Sequence, residues 1–139
     1  MIEKNVLTRR ISALEEYLSD LEEAKAELNW ARFTEDKIFR RYIERTLQMS
    51  TEACLDIANH IISYQGYREP EDNKDAFSIL YENNIIDETL CENLKKMAKF
   101  RNVVVHDYLK IDKEIVYAIL MKHLHDLSAY VKTVKKYYL

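Results

Sequence analysis

The chain has 139 residues with a net charge of −3, which excludes a protein that binds nucleic acid through overall positive charge. Its one glycine and one proline, Gly66 and Pro70, are too few for β-hairpins and barrel corners, so long helices are favoured. No apolar run approaches the ~20 residues of a membrane span and the N-terminus lacks the apolar core of a signal peptide, so we expect a cytoplasmic protein with no membrane partner.

The length favours a single domain over residues 1–139, since domains typically span roughly 100–200 residues. The first predicted helix covers residues 3–31. Its apolar side chains recur every three or four residues along one seam, at Leu7, Ile11, Leu14, Leu18, Leu21 and Leu28. Two cysteines, Cys54 and Cys91, lie in separate helical patterns, which predicts reduced and mostly buried thiols.

Thr34, with Asp36 and Lys37, predicts the start of a second long helix that runs to about Tyr64. Its apolar and small residues come in adjacent pairs, at Ile38/Phe39, Tyr42/Ile43, Ala53/Cys54, Ile57/Ala58 and Ile61/Ile62. Pairs at helical spacing predict a wide face that contacts other helices on two sides. Gly66 suits the C-terminal cap of this helix, and the following segment, YREPEDN, is predicted to be a loop.

A short helix is predicted after this loop, over about residues 73–83. Asp87 is predicted to be the N-cap of a fourth helix, which we expect to continue to Tyr108 if burial compensates for its valines. Asp112 predicts the start of the last helix. The predicted fold is therefore all-α, an up-and-down bundle of four long helices and one short helix.

The segment KFRNVVVHDYLK, residues 99–110, places polar and ionisable side chains around three valines. On a helix, Asn102 and His106 lie one turn apart on the same side, whereas Arg101 and His106 are separated by about 140° and the long arginine has to reach across. A guanidinium can bind a phosphate, and an imidazole can accept or donate a proton near neutral pH. This set suits metal-independent cleavage of RNA, with Arg101 and His106 as the catalytic pair and Asn102 as a supporting residue that orients the imidazole or the phosphate.

Four lysines flank the segment and form a local basic patch in an acidic chain, which predicts RNA-binding roles for Lys95, Lys96, Lys99 and Lys110. The same residues could instead have a structural role and no part in catalysis. In that alternative Arg101 pairs with a carboxylate and His106 is a histidine at a helix end, because an arginine and a histidine at this spacing occur by chance in many helices.

The arrangement of Arg101, Asn102 and His106 resembles the signature of the HEPN superfamily, in which a polar residue follows the arginine and a histidine comes after four to six residues. Tyr108 is similar to the motif tyrosine of the HepT branch, and the second-helix segment RRYIERTLQMSTEACLDIANHII is similar to that branch as well. The resemblance covers essentially the whole chain. It implies a HEPN-like bundle that dimerises around the motif helix, and a metal-independent endoribonuclease toxin with Arg101 and His106 as catalytic residues in a shared cleft.

The same resemblance implies three partners: RNA as the substrate, a second copy in a homodimer, and a cognate MntA-like nucleotidyltransferase antitoxin. In the HepT branch the antitoxin transfers AMP from ATP to the motif tyrosine, here Tyr108. The added bulk and negative charge beside Arg101 would then oppose binding of the RNA phosphate. We expect no DNA partner and no cofactor. Two alternatives are a non-catalytic helical subunit that presents a substrate to a nucleotidyltransferase or regulates it, and a purely structural dimer.

Other candidate ligands do not predict a metal site. Glu52, Asp56 and His60 share a helix face, but the Glu-x-x-His pair of di-iron bundles is absent, which favours a polar or interface stripe. His123 and His125 are two residues apart and are predicted to point to different sides of the last helix.

Overall fold

The structure is a computed structural model that describes residues 4–139, with the side chain of Tyr108 outside the described part. Over that range the chain forms seven α-helices and no strand, so the predicted all-α class is confirmed. The helices are α1 (Lys4–Glu27), α2 (Trp30–Glu35), α3 (Lys37–Gln65), α4 (Asn73–Glu82), α5 (Glu88–His106), α6 (Lys113–Lys122) and α7 (Leu124–Tyr138). A 3₁₀ turn, Tyr108–Lys110, lies between α5 and α6.

A continuous apolar core holds the helices together. α1 packs along α3, α4 packs against α3 and α5, and α7 contacts α1, α5 and α6. The largest fully buried side chains are Tyr130, Phe33 and Phe77. No helix within residues 4–139 has the length and apolar character that a bilayer span requires.

The two predicted apolar faces are both present, with differences at their ends. The α1 seam is buried at Leu7, Ile11, Leu14 and Leu21, whereas Leu18 and Leu28 are partly buried. The wide face of α3 is buried at Ile43, Leu47, Ala53, Cys54, Ile57, Ala58, Ile61 and Ile62. At the start of α3, in contrast, Ile38 and Tyr42 are exposed. The wide buried face of α3 therefore spans its central and C-terminal turns.

The predicted count of four long helices and one short helix is wrong, because two predicted helices are interrupted. The first ends at Glu27 instead of residue 31, since Asn29 caps a separate helix, α2. The Asn29 side chain accepts a hydrogen bond from the Arg32 N–H at 2.8 Å, which satisfies a donor at the helix N-terminus. Asp36 caps α3 in the same way, by accepting from the Phe39 N–H at 3.0 Å.

The last predicted helix is interrupted at His123, which ends α6 and precedes α7. The interruption places Asp126 in the first turn of α7, where a negative charge is favoured by the helix dipole. The Asp126 carboxylate is buried and accepts a hydrogen bond from Asn93 of α5 at 3.3 Å. This polar contact ties the start of α7 to α5.

The motif helix, α5, begins as predicted and ends two residues early. Asp87 accepts from the Leu90 N–H at 2.8 Å, which confirms it as the N-cap. The helix ends at His106, and Asp107 leaves the helical region with φ −149° and ψ 61°. Valines have low helix propensity, and here burial does not fully compensate, because Val103 and Val104 are half-buried and Val105 is 42% exposed.

The predicted loop over residues 67–73 is one residue shorter, because Asn73 begins α4, and the loop is held by one arginine. Gly66 ends α3 in the left-handed region at φ 68°, a conformation that glycine adopts at low cost. Arg68 donates to both carboxylate oxygens of Asp75, at 2.6 and 2.8 Å, and to both of Glu82, at 3.1 and 2.7 Å. These bonds fasten the loop to α4, and the hydrogen bonds that Asp75 accepts from Arg68 lower the pKa of its carboxyl group to about 2.

Tyr130 provides a test of the core. Its buried hydroxyl donates to the Cys54 carbonyl at 3.0 Å, and burial raises the pKa of the phenol well above its usual value. Tyr130→Phe should therefore lower the free energy of unfolding by about 1 kcal/mol, the typical net value of one hydrogen bond. Tyr137→Phe, on an exposed ring, should change it by less than about 0.5 kcal/mol. Urea denaturation measures both variants, and equal losses would contradict the assigned role of the Tyr130 hydroxyl.

Candidate functional site

The predicted catalytic arginine is anchored between two helices. The Arg101 side chain, 23% exposed, turns from α5 toward α3, where its Nε donates to Glu52 Oε1 at 3.2 Å. Its Nη1 donates to Asn102 Oδ1 at 3.2 Å. Gln48, one turn before Glu52, donates its Nε2 to the same Glu52 oxygen at 3.2 Å. The guanidinium therefore has contacts to α3 and to its own helix.

His106 is the last residue of α5 and is exposed. On an ideal helix its direction differs from that of Arg101 by about 140°, and five residues correspond to about 7.5 Å along the axis. Asn102 lies one turn before His106 on the same side. The structure thus brings Arg101 and Asn102 into contact, and it leaves His106 on the solvent face at the helix end.

The structure also agrees with the alternative that these residues have a structural role. Arg101 has a carboxylate partner, and His106 ends a helix, as that alternative predicted. A partly exposed ion pair contributes little stability, roughly 0–1 kcal/mol. A guanidinium has five N–H donors, and the contacts to Glu52 and Asn102 use Nε and Nη1. The ion pair with Glu52 and the binding of a phosphate are therefore compatible.

The predicted AMP acceptor, Tyr108, is the first residue of the 3₁₀ turn, two positions after His106. Its side chain lies outside the described residues. The next residue, Leu109, is 96% exposed. Lys110 ends the turn, with its N–H donating to the Asp107 carbonyl at 2.9 Å and its Nζ 3.2 Å from Asp107 Oδ2. The turn therefore stays close to the end of α5.

Three of the four predicted RNA-binding lysines share one groove. Lys96, Lys99 and Lys110 line a depression of about 390 Å³ between α5 and the segment that includes α6. Its apolar lining consists of Met97, Phe100, Val103, Ile111, Ile115, Ala118 and Ile119. Lys95 is not part of this lining, and its Nζ lies 3.6 Å from Glu92 Oε1. Three of the four lysines therefore lie around one depression, and Lys95 lies outside it.

The residues considered as metal ligands, Glu52, Asp56 and His60, have different surroundings in the structure. Glu52 contacts Arg101, and Asp56 pairs with Arg10 of α1 at 3.6 Å. His60 has a buried Nε2 with no hydrogen-bond partner among the described residues. Within residues 4–139, no three or more histidine, cysteine, aspartate or glutamate side chains are grouped so that they could hold a metal ion.

The prediction that His123 and His125 point to different sides of one helix is wrong, because the helix is interrupted at His123. Both imidazoles approach the Asp126 carboxylate, His123 Nδ1 at 3.2 Å and His125 Nε2 at 3.4 Å. Their ring centroids are 6.3 Å apart. This cluster lies at the junction of α6 and α7, in residues that the predicted site does not include.

The predicted state of the two cysteines is confirmed, since Cys54 and Cys91 are free and buried. Burial raises the pKa of both thiols, so both stay protonated near neutral pH. A cysteine nucleophile is active as its thiolate. Neither side chain is therefore suited to nucleophilic catalysis in the folded chain.

Sequence reasoning assigned Glu52 to a polar stripe and missed its contact with Arg101. The available signal was a carboxylate within a stretch of α3 that is otherwise mostly buried, because a carboxylate in such a position needs a cation or hydrogen-bond donors. Its partner lies 49 residues along the chain. Helical periodicity relates positions within one helix, so it does not pair residues on two helices.

The family model described as ribonuclease HepT-like matches residues 14–134. The chain belongs to the HepT-like ribonuclease family. The mRNA nuclease HepT of Shewanella oneidensis is 37% identical to this HepT-like chain over 105 residues, which cover 76% of this chain and 79% of that protein. The tRNA nuclease HepT of Aphanizomenon flos-aquae is 31% identical over 94 residues, which cover 68% of this chain and 64% of that protein.

A solved structure gives the same result for the fold. The tri-AMPylated HEPN toxin of Shewanella oneidensis, in complex with its MNT antitoxin, matches this HepT-like chain with a TM-score of 0.86 and 30% identity. The match covers 94% of this chain and 97% of the toxin chain. The predicted family, the HEPN-like helical fold and the enzyme class, an endoribonuclease, are confirmed by these similarities.

Proposed function

We propose that this HepT-like chain is the toxin of a toxin–antitoxin system and cleaves RNA without a metal ion, with Arg101 and His106 as catalytic residues. The observation that carries the proposal is an anchored guanidinium and an exposed imidazole five residues apart at the end of α5, in a chain of a ribonuclease family. One relative is named an mRNA nuclease and another a tRNA nuclease. Breakage of an RNA phosphodiester is the chemistry that both names share.

In the proposed reaction Arg101 binds the scissile phosphate and stabilises the negative charge that develops in the transition state. As the 2′-oxygen bonds to phosphorus and the bond from phosphorus to the 5′-oxygen breaks, His106 accepts the proton of the 2′-hydroxyl or donates one to the leaving 5′-oxygen. Water, or His106 of a second copy, takes part in the other proton transfer. Asn102 supports the arginine, because its Oδ1 accepts from Arg101 Nη1. The guanidinium and the imidazole together supply the charge and the proton transfer that this cleavage needs.

Two features support a homodimer around the motif helix. Arg101 turns toward α3 while His106 lies on the solvent face, so two facing copies would let an arginine and a histidine from different chains act on one phosphate. Val105 is 42% exposed and Leu109 is 96% exposed, which leaves apolar surface on both sides of His106. A two-fold interface buries such a patch against its own copy.

The lysines give the proposed cleft its positive charge. Lys96, Lys99 and Lys110 line the groove beside the motif, and a dimer would bring two such sets together. We propose that they bind RNA backbone phosphates, a contribution that adds affinity without base specificity. Lys95 adds less in this proposal, because it lies outside this groove.

We propose that a cognate MntA-like nucleotidyltransferase antitoxin inactivates the chain by transferring AMP to Tyr108. The support is the Shewanella oneidensis HEPN toxin, which is tri-AMPylated and in complex with its MNT antitoxin. Tyr108 lies two residues after His106 in a turn that is close to the end of α5. A nucleotide there adds negative charge near Arg101 and competes with the RNA phosphate.

The catalytic assignment predicts that the purified chain cuts RNA in the presence of EDTA. Arg101→Ala and His106→Ala should each lower the cleavage rate by about 100-fold or more, since a positioned acid or base typically contributes 10²–10⁴-fold. His125→Ala is the matched control, because it removes another exposed histidine that lies outside the motif. Gel analysis of labelled RNA measures the rates.

Absence of cleavage by the unmodified parent chain would refute the ribonuclease proposal. The non-catalytic subunit of a nucleotidyltransferase would then take its place, and the ion pair of Arg101 with Glu52 would have a structural role.

The dimer proposal predicts that sedimentation of the parent protein gives a molecular mass of about twice the 16.6 kDa of one chain. Val105→Lys should shift it toward the monomer, because a charge would be buried in the interface. Lysine is chosen because it does not reduce the positive charge that RNA binding requires. Tyr81→Lys changes a side chain on α4 with the same 42% exposure and should leave the mass unchanged. A monomeric parent would rule the interface out.

The regulatory proposal predicts that Tyr108→Phe cuts RNA at nearly the parent rate and continues to do so after incubation with the antitoxin and ATP. The reason is that phenylalanine lacks the hydroxyl that would accept AMP. Intact-mass measurement should find AMP on the parent and none on the variant. AMP on another residue, or on none, would disprove the assignment to Tyr108.

A further inference from the structure

Glu52 contacts the guanidinium of Arg101 from a different helix. Its Oε1 accepts from Arg101 Nε and from Gln48 Nε2, both at 3.2 Å. The two charged side chains are 23% and 36% exposed, so the contact is partly shielded from water. A hydrogen bond with charge on both partners is roughly twice as strong as a neutral one.

We propose that Glu52 is a positioning residue for Arg101. It orients the guanidinium so that the terminal nitrogens face the RNA phosphate, and it does not touch the RNA itself. This inference rests on the proposed ribonuclease function, which it deepens by adding a residue from α3 to a site otherwise formed by the end of α5.

The geometry explains why such a residue is needed. An arginine side chain has several rotatable bonds, and ordering it costs rotamer entropy. Glu52 fixes the Nε edge of the planar group, and Asn102 fixes Nη1. Two contacts to one rigid plane determine its orientation, so the ordering is complete before RNA binds.

The negative charge of Glu52 distinguishes this role from phosphate binding. A carboxylate beside Arg101 lowers the local positive potential, so by itself it opposes the binding of RNA. Removal of Glu52 should therefore lower kcat, because the arginine loses its orientation. KM should not rise, because the loss of the opposing negative charge offsets any weaker phosphate contact by Arg101. A residue that contributed to RNA binding would show the opposite, a higher KM with kcat unchanged.

The test compares three variants of the full chain in steady-state cleavage of one RNA. Glu52→Ala should lower kcat by about 10- to 100-fold with an equal or lower KM, as expected for a displaced catalytic group. Glu52→Gln should lose less, because its amide oxygen can still accept from Arg101 Nε. Asp56→Ala is the matched control, since it removes a carboxylate one turn further along α3 that pairs with Arg10 instead.

A second comparison asks whether Glu52 acts through Arg101. In a chain that already carries Arg101→Lys, Glu52→Ala should reduce kcat by less than about twofold, because the group that it orients is gone. A loss there as large as in the parent would overturn the proposal. Unchanged thermal midpoints for Glu52→Ala and Asp56→Ala verify that the folded states are equally stable.

A readout without activity completes the test. In the ¹⁵N spectrum of arginine side chains, the Nε–H of Arg101, assigned by its loss in Arg101→Lys, should exchange slowly in the parent and in Asp56→Ala. It should exchange at least about tenfold faster in Glu52→Ala, since a hydrogen-bonded proton is protected from water.

The two proposals fail in different ways. The role of Glu52 alone is overturned if the parent is active and Glu52→Ala leaves its kcat unchanged. It is also overturned if the Arg101 Nε–H exchanges at the same rate in the parent and in Glu52→Ala. A parent that cuts no RNA overturns the ribonuclease function, and the exchange measurement then decides whether Glu52 orients Arg101.

Discussion

The ion pair between Arg101 and Glu52 connects the motif helix to α3, and the geometry of the site depends on it. α5 is well buried over its first three turns and loses burial toward its valines, so packing alone does not orient the side chains at its end. The contact across to α3 does so for Arg101. His106 has a different position, at the last residue of the helix and on its solvent face. The proposed site therefore joins an anchored cation to a solvent-exposed proton carrier.

Partial burial of the valines affects both the fold and the site. Val103 lines the groove, Val104 packs against the core and Val105 is exposed. Because β-branched residues have low helix propensity and gain little from half burial, α5 ends at His106. The chain then turns through Asp107 into the 3₁₀ turn, which brings Lys110 back to the groove and sets Tyr108 close to the motif. The valines thus separate Arg101 from His106 and end the helix just beyond them.

The helical class, the main apolar faces, the N-cap at Asp87 and the C-cap at Gly66 were predictable, because each depends on residue type and spacing within one stretch of sequence. The interruptions at Asn29 and His123 were not. The apolar seam of the first helix runs up to Leu28 and that of the last helix continues past His123, so periodicity indicates neither interruption. Hydrogen bonds accompany both interruptions. Asn29 caps α2, and the buried Asp126 at the start of α7 accepts from Asn93 of α5. The interruption also brings His123 and His125 to one carboxylate, which helical spacing argued against.

The sequence by itself determined the chemistry available at the site: the arginine, the amide and the histidine of one motif, the nearby lysines, and the tyrosine that the family resemblance marks. These depend on residue type and spacing along one helix. Only the tertiary structure decided that Arg101 faces Glu52, that Lys95 lies outside the groove, and that the motif helix ends at His106. The physical reason is that a contact between two helices depends on how they pack, and packing is set by the whole core rather than by any one segment.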